Sequence, residues 1–216
     1  MLQIKSWPVF NIYIITLANS NAGRHSEEAK KQLTKTLNSC RDHGWPVQIF
    51  HAVNGYNLDA TIWSTLDLKS PKKKTGSSNK FADKPGAMGC FLSHFLLWKK
   101  CTSLNQPVII LEDDIQVISS LTEIKPNHDC LKLHAPRQRK ENETVGRWSP
   151  GAFGYWLSPI GAQKLVNFSL TNGPKYNDKC IGSKVLDWDY IDTPLIRLRR
   201  RDGSSTNPVD YPYKDV

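Results

Sequence analysis

The sequence predicts an α/β fold: a single unit over residues 1–216 with a mostly parallel central sheet flanked by helices. Two observations carry this expectation. Apolar, β-branched runs of strand length recur at 9–17, 47–50 and 107–111, and helix-like segments with apolar stripes lie between them. A strand, helix, strand order suits a parallel sheet, because parallel neighbours need a crossover to join them. The chain's 216 residues, 39% hydrophobic and 23% charged, can bury a core without disulfide or metal staples.

The elements follow in order. Residues 9–17, centred on Ile12-Tyr13-Ile14-Ile15, read as a buried first strand. Ser26-Glu27-Glu28 opens a helix to about Arg41, with Ser26 as N-cap and two acids favouring the helix dipole. Gly44-Trp45-Pro46 ends it, and Val47-Gln48-Ile49-Phe50 forms strand two. Residues 69–85, with Lys69, Lys72, Lys73 and Lys74 ahead of Gly76-Ser77-Ser78, read as a solvated loop; an acceptor or phosphate loop is the functional alternative. Gly89 to Lys100 is helical, with Phe91, Phe95 and Trp98 on one side and Leu92 and Leu96 adjoining. Pro107-Val108-Ile109-Ile110-Leu111 is the clearest buried strand and runs directly into Glu112-Asp113-Asp114. Leu131-Lys132-Leu133 suggests a short strand, Arg137–Arg147 a basic loop, residues 152–157 a strand, and Pro159–Phe168 a helix capped by Ser158. The chain after Arg201 is turn-rich and irregular.

Lysine and arginine number 29 against 20 acids, a net charge of +9 that favours an anionic partner: nucleotide, phosphorylated glycan, acidic membrane surface or nucleic acid. Five cysteines, odd in number and widely spaced with no C-x-x-C pair, give neither a disulfide framework nor a structural zinc pattern. No run approaches the roughly 18–20 apolar residues of a membrane span, and the apolar N-terminal stretch lacks a secretion signal's flanks. The expected location is the cytoplasm, including the inner face of the membrane.

Three constellations carry chemistry. Ligands of parallel α/β sheets collect at the carboxyl ends of strands, where Glu112-Asp113-Asp114 falls. Adjacent carboxylates repel one another unless a cation or a hydrogen-bonding ligand compensates. If the extended geometry persists, alternation turns Glu112 and Asp114 the same way, giving two oxygen ligands for Mg²⁺ or Mn²⁺; the plain alternative is a solvated turn. In the block from Gly86 to His94, Gly86 and Gly89 would let backbone approach a ligand, and a helix N-terminus there would favour phosphate. On their own, His94 reads as a core histidine and Cys90 as buried packing. Lastly, Asp187-Trp188-Asp189-Tyr190-Ile191-Asp192 interleaves acids with aromatics, suiting a sugar site in which a carboxylate serves as base, or else a half-exposed strand.

Taken together the segments resemble glycosyltransferase family 25, which includes lipooligosaccharide and collagen galactosyltransferases. The matching pieces are Ile12–Leu17 with Arg24 beyond, His51-Ala52-Val53-Asn54-Gly55, Gly86–His94 with Trp98, Val108–Asp114, Asp129–Leu133, Gly154–Ala162 and the run from Asp187, over roughly residues 10–195. Ala87 and Thr16 depart from the family's usual residues, and the basic stretch 196–216 does not align.

The resemblance implies a GT-A-like fold, a UDP-sugar donor and inversion at the anomeric carbon. It gives Glu112 and Asp114 the role of holding Mn²⁺ or Mg²⁺, and assigns donor contacts to Arg24, Gly86, Gly89, Ser93, His94 and Asp113. Asp187 and Asp189 become candidates for the base. The expected reaction moves galactose or glucose to a hydroxyl of a bacterial surface glycan such as lipooligosaccharide. Two other readings compete: a glycosyltransferase acting on hydroxymethylated DNA bases, gripped through 69–84 and 137–147, and a non-catalytic module binding nucleotide sugar or nucleic acid.

Overall fold

The computed structural model describes residues 11–20, 24–71, 81–121, 124, 127–135, 151–182 and 185–199, the side chain of Arg24 excepted. Lys72–Lys80, the Arg137–Arg147 segment and the chain from 200 onward, each expected to be irregular, lie outside the described residues.

Strands β1 (Asn11–Thr16), β2 (Val47–His51), β3 (Val108–Glu112), β5 (Cys130–Lys132), β6 (Gly154–Leu157) and β7 (Trp188–Tyr190) form one sheet in the order β2-β1-β3-β6-β5-β7. β1 lies parallel to β2 and β3, and β5 parallel to β7; only β6 is reversed, pairing antiparallel with β3 and β5. Five strands therefore share one direction, as the sequence predicts. A two-stranded ribbon of β4 (Ile115–Val117) and β8 (Ile196–Leu198) lies apart from this sheet.

Period-two alternation sorts the strand side chains into two cores. Tyr13, Ile15, Val108, Ile110 and Tyr155 join Phe91, Phe95 and Trp98 of α3 (Pro85–Leu104) and Leu165 of α4 (Pro159–Asn172). Ile12, Ile14, Ile109, Leu111 and Trp156 join Leu33 of α1 (Arg24–Asp42) and the β4–β8 ribbon. β3 is sealed on both faces, with Val108 through Leu111 wholly buried, which explains its unbroken apolar run.

Helix boundaries differ from expectation where tertiary contacts decide them. α1 begins at Arg24, so Ser26 is no cap: it lies inside the helix, and its hydroxyl donates to the Ala18 carbonyl at 2.9 Å. The predicted stop is present. Gly44 takes φ +70°, while Gly44 N–H and Trp45 N–H return to the carbonyls of Arg41 and Cys40, a Schellman closure. α3 begins at Pro85, four residues early, since proline suits a first helical position. α4 starts as predicted, with Ser158 Oγ accepting from Gly161 N–H at 2.9 Å, and runs four residues past Phe168. Two short α-helices, α2 (Ile62–Thr65) and α5 (Asn177–Cys180), and a 3-10 turn at Gly55–Asn57 complete the helices of the described residues, and all five cysteines are free. No helix among the described residues is long and apolar enough to cross a membrane.

Candidate active site

The carboxyl ends of β1 and β3 open into a cleft of about 220 Å³, closed on the other sides by α1, the loop after β2 and the first turns of α3. Glu112, Asp113 and Asp114 all line it. The expected alternation of Glu112 and Asp114 along an extended strand does not hold, because β3 ends at Glu112 and Asp113-Asp114 form the turn into β4. The turn brings the three carboxylates to one cleft by folding the chain back.

Each acid is fixed differently. Glu112 keeps its backbone in the sheet, donating N–H to the Phe153 carbonyl at 2.8 Å, and its side chain is 30% exposed. Asp113 accepts a 2.6 Å hydrogen bond on Oδ2 from the Thr16 hydroxyl at the end of β1. Thr36 of α1 clamps the turn, its hydroxyl lying 2.7 Å from the Asp113 carbonyl and 2.8 Å from that of Ile115. Asp114 is buried, and its carbonyl accepts from Arg199 N–H at 2.8 Å. The Arg199 guanidinium donates to Thr36 Oγ1 and the Gln32 carbonyl. Burial lowers the pKa of that guanidinium, and the charges of Asp114 and then Asp113 oppose the shift. A cation thus lies behind the two turn acids, relieving part of their mutual repulsion.

α3 supplies the opposite wall. Gly86 faces the cleft, with nothing within 4 Å of where a Cβ would stand, so its backbone is open to a ligand beside the positive end of a 20-residue helix. Gly89 serves packing instead. A Cβ there would meet the Val53 carbonyl oxygen at 2.4 Å and the Gly55 nitrogen at 2.7 Å, so its small size lets α3 seat against the loop after β2. Ser93 reinforces that seat, accepting from Val53 N–H at 2.9 Å and donating to the Gly89 carbonyl at 2.7 Å.

His94 is completely buried; its Nδ1 lies 2.8 Å from the Tyr155 hydroxyl, which also accepts from Trp98 Nε1–H at 2.8 Å. Its other nitrogen stands 3.4 Å from Glu112 Oε1. Cys90, expected as buried packing, is instead an exposed residue of the cleft, because the helix turns this position toward Glu112 and away from the core. Crowding by protein, then the charges of Glu112 and Asp178, push its thiol well above the ordinary value. Beneath lies Lys132, fully buried, donating to the Gly151 carbonyl at 2.8 Å; burial lowers its pKa against the pull of Cys130, Asp178 and Glu112.

Asp187 and Asp189 do not line the cleft. Pairing across β7, β5, β6 and β3 puts Asp189 in the row of Ile109, and Trp188 in that of Val108, so Asp187 lies toward the opposite end of the sheet from Glu112. Three strand spacings and three residue rises separate the Asp189 and Glu112 backbones by about 14 Å sideways and about 10 Å lengthwise. Both acids are well exposed and turn toward His128, at 3.1 and 4.0 Å. The side chain of Arg24 lies outside the described residues.

Sequence reasoning missed Thr16, Thr36, Tyr155 and Arg199 as supports of the site. It also missed Tyr56, 57% exposed and stacked on His25 at 5.5 Å at the cleft wall. Thr16 alone left a trace, as the residue that departs from the family's usual one.

A mostly parallel α/β sheet with an acidic turn at its carboxyl rim, faced by an open helix N-terminus, defines a GT-A-like architecture. The model of glycosyltransferase family 25 (LPS biosynthesis protein) matches residues 10–141, and the chain belongs to that family. It is 27% identical over 179 residues to a glycosyltransferase 25 family member of Aedes aegypti, an alignment covering 73% of this chain and 28% of that protein. It is also 27% identical over 168 residues to procollagen galactosyltransferase 1-A of Xenopus laevis, covering 67% of this chain and 27% of the relative. A third relative, from Bos taurus, is 25% identical over 181 residues, covering 72% and 28%, and carries the name "Probable inactive glycosyltransferase 25 family member 3". The chain thus spans little more than a quarter of the length of these relatives.

Proposed function

We infer that the protein is a hexosyltransferase that moves galactose or glucose from a UDP-sugar to an acceptor hydroxyl with inversion. The observation that carries this reading is the convergence of Glu112, Asp113 and Asp114 on one cleft opposite the open backbone at Gly86. Carboxylate oxygens suit Mg²⁺ or Mn²⁺, and Glu112 and Asp114 are the residues that would hold the ion; when bound, it offsets the charge of the departing diphosphate. The α3 N-terminus at Gly86 receives the diphosphate, since its unpaired amides and dipole favour an anion. Tyr56 and His25 offer a flat aromatic wall for the uracil or the sugar. Thr16 and Thr36 hold the acidic turn rigid, so that the site needs little rearrangement when charge develops.

The acceptor is a glycan hydroxyl. The family's description as LPS biosynthesis favours lipooligosaccharide, and a net charge of +9 suits phosphorylated core sugars. The segments that would grip DNA lie largely outside the described residues, and the net charge alone does not separate DNA from a phosphorylated glycan. A non-catalytic reading has one specific support, the name of the Bos taurus relative.

Turnover separates the two. Purified protein with Mn²⁺ and UDP-galactose or UDP-glucose should release UDP, faster when a lipooligosaccharide core acceptor is added. Nucleotide-sugar binding without turnover on any acceptor in a glycan panel establishes the non-catalytic reading in its place.

A further inference from the structure

Three side chains of different chemistry meet beside the acidic turn. Cys90 and His94 stand one helical turn apart on one face of α3, and Glu112 reaches them from the end of β3. One ligand atom from each, a sulfur, an imidazole nitrogen and a carboxylate oxygen, all lie within 4.8 Å of one another. His94 Nε2 is 3.4 Å from Glu112 Oε1, and Cys90 Sγ is 3.8 Å from the same oxygen. Yet Nε2 of this fully buried ring has no hydrogen-bond partner. The nitrogen–oxygen separation is long for a hydrogen bond, while the Cys90 thiol donates to the same carboxylate oxygen at a sulfur donor's longer reach; both separations lie within a few tenths of an ångström of those between neighbouring ligands of one tetrahedral ion. Zn–N and Zn–O bonds of about 2.0–2.1 Å, with Zn–S of about 2.3 Å, set ligand atoms roughly 3.3–3.6 Å apart.

We propose that Cys90, His94 and Glu112 form a binding site for a thiophilic divalent cation, Zn²⁺ foremost, with its fourth position open to the cleft. Sulfur and imidazole donors select Zn²⁺ over Mg²⁺ or Mn²⁺, which the all-oxygen pair Glu112 and Asp114 suits. The surroundings agree. Tyr155 holds the ring through Nδ1, a hydrogen bond that fixes its orientation and leaves Nε2 facing Glu112. In the loaded site Nδ1 carries the ring proton and donates to the Tyr155 oxygen, which leaves a lone pair on Nε2. Asn177 Nδ2 donates to Cys90 Sγ at 3.2 Å and goes on doing so to a thiolate. Binding forms a zinc–sulfur bond and releases the Cys90 thiol proton to solvent, with no change of oxidation state. Zn²⁺ and the transfer reaction's cation then compete for Glu112. The site itself does not depend on the transferase reading.

Co²⁺ is the probe. The full chain, freed of metal with a chelator, is titrated with Co²⁺ and followed in the near ultraviolet and visible. A sulfur-to-cobalt charge-transfer band saturating at one equivalent, and abolished by Zn²⁺, is the expected result. Cys90→Ser, a change at an exposed position, should lose the band with an unaltered circular dichroism spectrum, whereas Asp114→Asn should keep it. Absence of a sulfur band in the unaltered protein, its survival in Cys90→Ser, or its loss in a folded Asp114→Asn overturns the assignment. The readout is spectroscopic, so an inactive protein leaves the result interpretable, and a failed titration says nothing against turnover.

Discussion

The three acids at the end of β3 are neighbours in sequence but occupy different environments. Glu112 is partly open to the cleft, Asp113 is tied to Thr16, and Asp114 is buried close to Arg199. Glu112→Gln and Asp114→Asn keep shape and remove charge. Each should lower Mn²⁺-dependent release of UDP by on the order of 100-fold or more, with the unfolding midpoint little changed. Asp187→Asn and Asp189→Asn, at the far edge of the sheet, test the base role expected there: loss of turnover with donor affinity kept in one of them assigns it, and equal, mild effects remove both. His134 offers a different test. Burial, aided by the charge of Lys132, depresses its pKa from 6.5 to about 4 despite its hydrogen bond to the Ala135 carbonyl. The unfolded chain therefore takes up a proton between about pH 6.5 and 4 that the folded chain refuses. Stability from this group is complete above pH 6.5 and falls with acidification by up to about 1.4 kcal/mol per pH unit. Urea unfolding across this range should show the decline, and His134→Gln should flatten it. The acidic triplet was legible in the sequence because an unbroken apolar run marks a buried strand, and carboxylates directly after it mark the strand's end at the sheet's rim. Its supports were not: Arg199 reaches Thr36 across 163 residues and Tyr155 reaches His94 across 61, and no local pattern encodes such pairings.

Among the elements, the seat of α3 against the loop after β2 sets the width of the cleft. Gly55 and Gly89 allow it: a Cβ on Gly55 would stand 1.7 Å from the Pro85 carbonyl oxygen, and one on Gly89 would press on Val53. Gly89→Ala should cost about 1–3 kcal/mol in urea unfolding and weaken nucleotide-sugar binding, because backbone rather than a flexible side chain must yield. The Gly86–His94 block is thus partly architectural. From sequence its glycines looked like ligand contacts, and Gly86 alone keeps open space. Strands buried on both faces were legible from their composition. β4, β8 and α5, each of three or four residues, were not, since so short a stretch carries no period. The N-cap at Ser26 failed for a related reason: its hydroxyl found a better partner in Ala18, which only the folded chain brings near.

For the molecule as a whole, ligand binding should be visible as stability. UDP with Mn²⁺ at about 100 times its dissociation constant should stabilise the folded chain by about 2.7 kcal/mol, and Glu112→Gln should abolish the shift. A rise in melting temperature with Mn²⁺ alone, unchanged by UDP, would separate the cation from the diphosphate. The reversal of β6 bears on how such a molecule can diversify. It divides the sheet into two parallel blocks, β2-β1-β3 and β5-β7, whose facing strands stand about 10 Å apart with β6 bonded to both. The acidic turn belongs wholly to the first block. The second block reaches it through β6 and again through the chain beyond β5, where the Leu133 carbonyl accepts from Leu195 and Ile196 N–H and Arg199 N–H reaches the Asp114 carbonyl, so a change at the far bank is felt at the acids along both paths.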